Sequence, residues 1–310
     1  MNLSTNYFEY IPREIIIDIF ENLSLQDLII LDCVKSFSHI IRNYTWPNIT
    51  INLRDKIKYI VTNYNFINYD SYHNLSITDD ELKLFVHCHT LNLRYCINIT
   101  DASVKLLGKC HTINLIGNEY ITDNGLIHLG NCKNLSFSDC PGITDKGVEA
   151  IKNCHTVALR GCRKITDTGV KLLDKCYSLD LYNCIQLSDV SIKCLKFCRI
   201  LDLTSTNITD DSVQHLGNCY KLILTGCNKI TDASVKFLGK CHELGLYGCY
   251  QITDASVELL TDCKILNLNY CRNITINSIK KLDKCQRLCV LYCNISINDL
   301  RSMNIPQIFN

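Results

Sequence analysis

Proline is nearly absent from this chain of 310 residues, at four, and tryptophan occurs once. Scarce proline argues against long disordered linkers. Charge of one sign is not in surplus either: 32 Lys and Arg stand against 31 Asp and Glu. Without a basic excess, nothing points to nucleic acid or to a membrane surface. No apolar run reaches the length that spans a bilayer. The start, Met1-Asn2-Leu3-Ser4-Thr5-Asn6-Tyr7, has no basic stretch and no apolar one. No signal peptide is expected, and the chain is expected in the cytoplasm or nucleus. Gly-x-Ser-x-Gly, His-Glu-x-x-His, the phosphate loop and Cys-x-x-Cys are all missing. The expectation is a non-enzyme with no catalytic residues, no cofactor and no metal.

Cysteine is the residue in surplus, at 21. A secreted disulfide scaffold is one reading, but the odd count in a long chain without an export signal speaks against it. Position accounts for them better. Cys recurs at 88, 110, 132, 154, 176, 198, 219, 241, 263 and 285, in steps of 22 residues with one step of 21 ending at Cys219. Inside a step the pattern is Cys-x-x-Leu-x-Leu-x-x-Cys-x-x-Ile-Thr-Asp-x-x-Val-x-x-Leu-x-x-Cys. The stretch from Cys219 to Cys241 shows it in full.

The period changes within each unit. Leu91-x-Leu93 alternates, which predicts a short strand with one buried face. Val104, Leu107 and Cys110 recur every third residue, which predicts one face of a short helix. Thr100-Asp101 sits where that helix begins, and Thr or Ser followed by Asp returns in later units through Thr253-Asp254. The hydroxyl can cap the helix, and the Asp can complement the dipole. The apolar side chains of one unit cannot offset the ordering of 22 residues, so the units have to stack.

A second Cys column follows the strands, at 96, 140, 162, 184, 227, 249, 271 and 293, with Asn118 and Thr206 in the two remaining units. These thiols read as small buried core residues. Two groups come nearest to a zinc site, His87-Cys88-His89 and Cys285, Cys289 and Cys293. The second fails on register, because Cys289 points opposite to Leu288 and Val290. His111, His155 and His242 each follow a helix-end Cys, so a shared structural position explains them more simply than catalysis.

The string Leu-x-Leu-x-x-Cys-x-x-Ile-Thr-Asp resembles the cysteine-containing leucine-rich repeat, over about three-quarters of the chain. Family units are usually longer between the helix-end Cys and the strand. Here Leu91 follows Cys88 almost at once, which implies tighter turns.

Residues 8–53 do not follow the repeat. Pro12 suits the first turn of a helix. Ile15, Ile16, Ile19, Phe20 and Leu23 form a wide apolar face. Ser24-x-x-Asp27 marks a second helix through Leu28, and Phe37, Ile40 and Ile41 a third. An alternating strand, Ile49-x-Ile51-x-Leu53, follows. So small a unit cannot hide all these side chains. They form either a protein interface or a cap on the first repeat.

Ile11-Pro12-x-Glu14-Ile15-x3-Ile19-Phe20-x2-Leu23-x3-Asp27-Leu28, then Cys33-Val34-Lys35-Ser36-Phe37 and Trp46, resembles an F-box. That family usually has Leu-Pro and Val-Cys-Lys where this chain has Ile-Pro and a shifted Cys-Val-Lys. The two resemblances imply an α/β leucine-rich-repeat solenoid, short parallel strands inside and short helices outside, behind a small all-α F-box-like domain. Expected boundaries are 8–50 for that domain, 51–87 for a cap and first partial repeat, and 88–310 for about ten repeats.

Family members of this kind are substrate receptors of Skp–cullin–F-box ubiquitin ligases. The resemblance implies that Pro12, Ile15, Ile16, Ile19, Phe20, Leu23 and Leu28 bind a Skp-family adaptor, and through it a cullin-RING ligase. The repeats would hold a protein substrate, and the catalysis would belong to other subunits. The alternative is a stand-alone repeat scaffold or inhibitor. The Asn-, Ile- and Lys-rich vocabulary also resembles proteins of giant DNA viruses of amoebae, which would place the chain in a host cytoplasm.

Residues between and after the two strand leucines face away from the core. On that inner, concave face Arg94, Arg160, Asp180, Tyr182, Asp202 and Tyr247 are the candidate substrate contacts, since Tyr and Arg most often anchor interfaces.

Overall fold

A computed structural model describes residues 12–23, 27–28, 31, 40–41, 45–52, 65–70, 77–301, 303 and 305–309. Among the described residues thirteen strands form one sheet in chain order, each hydrogen-bonded to the next. Every pairing is parallel. Ten of the strands are those the repeat predicts, from Thr90–Asn92 to Arg287–Cys289. We call these rows one to ten. Leucine meets leucine across them, as in Leu201 opposite Leu222, where the chain steps 21 residues and keeps register.

Three strands were not legible as repeat units. Thr45–Asn52 and Asn65–Asp70 precede row one, and Gln307–Phe309 follows row ten. The first overlaps the expected strand at 49–53 but begins earlier, and Leu53 lies outside the described residues. These segments lack the Leu-x-Leu-x-x-Cys string, yet they continue the ladder. Tyr69 pairs with Leu91 and takes its place in the core, at 2% exposure, with its ring edge-on to Phe85 at 5.0 Å.

Each row turns into a helix of four to six residues, such as Asp101–Val104, on the other side of the sheet. In rows one and five a 3-10 turn continues it, as Lys105–Leu107 does. Spacing of three fits that turn better than the α-helix, because side chains three apart eclipse in a 3-10 helix. The column Val104, Leu107 and Cys110 is buried accordingly. With Leu91, Leu93, Cys96 and Ile99 it makes one cross-section of a core continuous through the sheet.

The helix Arg13–Glu21 packs on the first strand. Pro12 sits one residue before it, and its carbonyl accepts from the Ile15 and Ile16 N–H groups at 3.1 and 3.3 Å. Ile16, Phe20, Leu28 and Ile41 join the repeat core, with Leu23, Leu31 and Ile40 partly buried against it. Ile15 and Ile19 face solvent at 50% and 52% exposure. Ser24 and Phe37, invoked for the second and third helices, and Cys33 and Lys35, part of the F-box resemblance, lie outside the described residues. At the other end Leu300 closes the core, with Met303, Ile305 and Ile308 against it.

Candidate functional site: the open face of the sheet

The turns between rows are held by side chains, and this decides what the open face can present. Thr100 caps its helix by accepting from the Ala102 N–H at 3.2 Å. The Asp that follows such a Thr does more than complement a dipole. Asp79 reaches the next unit, where its oxygens accept from the Thr100 N–H at 2.8 Å, the Thr100 hydroxyl at 2.6 Å and the Ser103 hydroxyl at 2.5 Å. The same bridge recurs from Asp101 to Thr122 and on to Asp254 and Thr275. It ends where Ile276 replaces the Asp.

Partial burial opposes charge on Asp79, Asp167, Asp189 and Asp254. The hydroxyl and backbone donors outweigh it and hold these carboxyls below the usual range. The buried serine in this clamp was missed in the sequence. Its signal was a column restricted to Ser or Gly, at Ser103, Gly125, Gly147, Gly169, Ser191, Ser212, Ser234, Ser256 and Ser278.

The second Cys column closes the strand ends. Cys184, Cys249 and Cys271 donate to the carbonyls of Leu159, Leu224 and Leu246 in the preceding row, at 3.2, 3.3 and 3.1 Å. Asn118 does the same to Leu93 at 2.9 Å. That explains why Asn stands in for Cys. Burial pushes the Cys184 thiol up to about 11 and the Cys110 thiol up to about 12, so both stay protonated. Among the described residues no three His, Cys, Asp or Glu side chains are placed to hold a metal ion. The histidines after the helix-end cysteines stack in pairs with the ring at the same place in a neighbouring unit. His89 stacks on His111 at 4.6 Å, His155 on Tyr177 at 4.7 Å, and Tyr220 on His242 at 4.5 Å.

On the open face, Asn or Asp in mid-row bends its side chain onto the backbone two residues on. The Tyr182 N–H donates to Asp180 Oδ1 at 3.0 Å, and the Thr204 N–H to Asp202 Oδ1 at 2.9 Å. Asp180 Oδ2 then takes Arg160 Nε at 2.6 Å, while the Arg160 guanidinium lies 5.6 Å over the Tyr182 ring. Burial pushes the Asp180 carboxyl up against the pull of Arg160 and the Tyr182 N–H, and Asp202 beside it adds to the rise. Arg160, Asp180, Tyr182 and Asp202 thus form one group on rows four to six. Arg94 stands apart on row one, its guanidinium 5.0 Å over Tyr95. Tyr247 is on row eight, beside two residues missed in the sequence: Tyr270 at 5.0 Å and, beyond it, Tyr292 at 4.5 Å. These two follow the strand by one more residue than period-two reading reaches.

Shallow depressions open on the described surface. One, of about 370 Å³, is lined by Ile265, Gln286, Arg287, Pro306 and Gln307. Another, of about 270 Å³, is lined by Asp139, Pro141, Gly161, Arg163 and Lys164. Neither sets a nucleophile beside a base. No helix among the described residues is long and apolar enough to cross a membrane.

The family described as Leucine Rich repeat matches residues 133–152. The chain is similar in structure to an internalin, InlF of Listeria monocytogenes str. 4b F2365, at TM-score 0.60 and 18% identity, over 87% of each chain. A structure of the TLR13–ssRNA13 complex aligns at TM-score 0.61 and 18% identity, over 85% of this chain and 42% of that one. The yeast Rad7–Elc1 complex aligns at TM-score 0.55 and 14% identity, over 96% of this chain and 91% of that one. At these identities the likeness is one of fold. No curated protein sequence matches the chain. The protein is a leucine-rich-repeat solenoid, and its open strand face and N-terminal helix are its two candidate binding surfaces.

Proposed function

We propose that this protein is the substrate-recognition subunit of a Skp–cullin–F-box type ubiquitin ligase. The observation that carries the reading is the helix Arg13–Glu21. Its Ile16 and Phe20 side is anchored in the repeat core, while Ile15 and Ile19 are left to solvent beside Pro12. An amphipathic helix needs only one apolar face for a cap. A second, exposed one suits a partner. Pro12, Ile15 and Ile19 are among the seven positions the F-box resemblance implies for a Skp-family adaptor, whereas Ile16, Phe20 and Leu28 are buried in the repeat core and Leu23 is partly buried against it, which narrows the adaptor contact to the exposed three. The yeast structure of similar fold is itself a complex of two proteins. In this reading the adaptor joins at the helix and a substrate protein lies on the open face, around Arg160, Asp180, Tyr182, Asp202 and Tyr247.

The test is co-purification of the full chain with a Skp-family adaptor. Ile15→Asp with Ile19→Asp abolishes it and leaves the far-ultraviolet circular dichroism unchanged, because both side chains are exposed. Wild-type chain that ignores every adaptor tried sinks the reading.

Burial of Ile16, Phe20, Leu28 and Ile41 in the repeat core favours a second reading, a stand-alone scaffold with these helices as its cap. A deletion separates the two, and it has to stop before Thr45, since Thr45–Asn52 is the first strand of the sheet. Aggregation of the shortened chain supports the cap. A folded array that loses the adaptor supports the ligase role.

A further inference from the structure

Tyr95, Tyr270 and Tyr292 share a column just past the strands and hold positive φ, at 60°, 64° and 60°. Glycine fills that column in four rows, and Asn, Asp and Ser in the rest. Glycine takes the conformation freely and Asn or Asp at little cost, whereas a bulky L side chain is strained in it. Folding alone does not select tyrosine there, and residues held in such geometry gather where ligands are gripped.

The tyrosines of the open face differ in what covers them. Arg94 lies 5.0 Å over Tyr95, and Arg160 lies 5.6 Å over Tyr182. Over Tyr247, Tyr270 and Tyr292 the described residues place no cation; these rings meet only one another. Two rows before Tyr247, Asp202 uses one oxygen on the Thr204 N–H. Its other oxygen has no partner among the described residues, and the nearby Arg160 is taken by Asp180. Between Asp202 and these rings, Ile223 stands in register with Asp202 and packs against Gly245, an apolar floor for the stem of a long basic side chain. Negative ring faces next to an uncovered carboxylate are complementary to a cation.

We propose that rows six to ten receive an extended, arginine-bearing segment of a partner protein. One guanidinium lies on the Tyr247, Tyr270 and Tyr292 strip, and a second basic residue reaches Asp202. Two rows span about 10 Å, which basic residues two to four positions apart in an extended chain can bridge. Arginine suits the rings better than lysine, because its planar group stacks. The inference rests on the open face being where a partner protein lies, and not on the adaptor.

The test uses fluorescence anisotropy of the full chain with short labelled Gly-Ser peptides carrying two Arg, two Lys or two Glu. The Arg peptide binds at least about ten-fold tighter than the Glu peptide, a difference of about 1.4 kcal/mol, because the ring faces and the carboxylate attract a cation and repel an anion. Tyr270→Gly with Tyr292→Gly lowers that affinity about ten-fold, with a melting temperature unchanged or raised, because glycine suits positive φ. Asp202→Asn weakens it as well. Equal binding of Arg and Glu peptides, no binding, or preference for a single-stranded RNA probe overturns the proposal. So does an unfolded double glycine variant, which would make the tyrosines structural. The double variant still co-purifies with the adaptor, so each reading can fail alone.

Discussion

Asp189 shows how a single side chain joins two units. Its carboxylate accepts from the Thr209 N–H at 2.8 Å, the Thr209 hydroxyl at 2.6 Å and the Ser212 hydroxyl at 2.6 Å. Ser212 is fully buried. Removing the acceptor leaves it with one weak bond, to the Thr209 carbonyl at 3.3 Å. Asp189→Ala is expected to cost about 1–3 kcal/mol, seen as a lower urea midpoint at an unchanged slope. A midpoint equal to wild type would mean that water replaces the carboxylate without loss. The cysteines act at the same scale. Their burial and their bonds to carbonyls make them fillers of a narrow turn, and Asn118 and Thr206 do that work where Cys is missing.

At the scale of the element, the helices are too short to be stable alone. They persist because those from Asp101–Val104 to Ile276–Ile279 are each clamped by the Asp of the unit before. The third helical position faces that clamp, so it must be small. At Gly147 an added Cβ would meet Asp123 Oδ1 at 2.3 Å and Leu126 Cδ2 at 3.2 Å. A serine hydroxyl there can bond to the carboxylate, as Ser234 does to Asp210 at 2.5 Å. Gly147→Ser should therefore keep the wild-type melting temperature, whereas Gly147→Leu should lower it by several degrees, roughly the effect of 1–3 kcal/mol of overpacking. Equal tolerance of both by thermal unfolding would show that the helix shifts freely. The strands obey a different constraint. Rows one to ten are only three to five residues long and pair with a strand on each side, and Asn65–Asp70 likewise forms between Thr45–Asn52 and row one.

Across the whole molecule these clamps act in series, and their charge makes the array acid-sensitive. A carboxyl held low in the folded state stabilises above its unfolded value, and the gain is lost as pH falls through the folded value. Asp79, Asp167, Asp189 and Asp254 place that loss below about pH 4. His111 adds a shallower step. Burial, His89 and Lys133 hold it low, so its folded form prefers neutrality and stability begins to fall as pH drops through about 6.5. Urea midpoints from pH 8 to pH 3 should show a small decline near pH 6, absent in His111→Gln, then a steep one below pH 4. A flat profile to pH 3 would mean that the Asp bridges contribute no net stability.

What the chain determined by itself was the repeat. Ten rows were legible because Leu91, Leu93, Cys96, Val104 and Leu107 point inward at fixed spacing, and burial depends on local period. The Thr-Asp caps were legible for the same local reason. Of the three extra strands, Thr45–Asn52 was legible in part from the alternation of Ile49 and Ile51; the other two were not, because Tyr69 and its neighbours hold their place only by pairing with a finished row. Nor was the Asp bridge, which joins residues 20 to 24 apart in sequence that only stacking brings together. Of the open face, Arg160, Asp180, Tyr182, Asp202 and Tyr247 could be placed by alternation. Tertiary structure decided which of them meet, tying Arg160 to Asp180 and leaving Asp202 uncovered. It also set Tyr270 and Tyr292 beside Tyr247, since adjacency across rows comes from sheet register and not from distance along the chain.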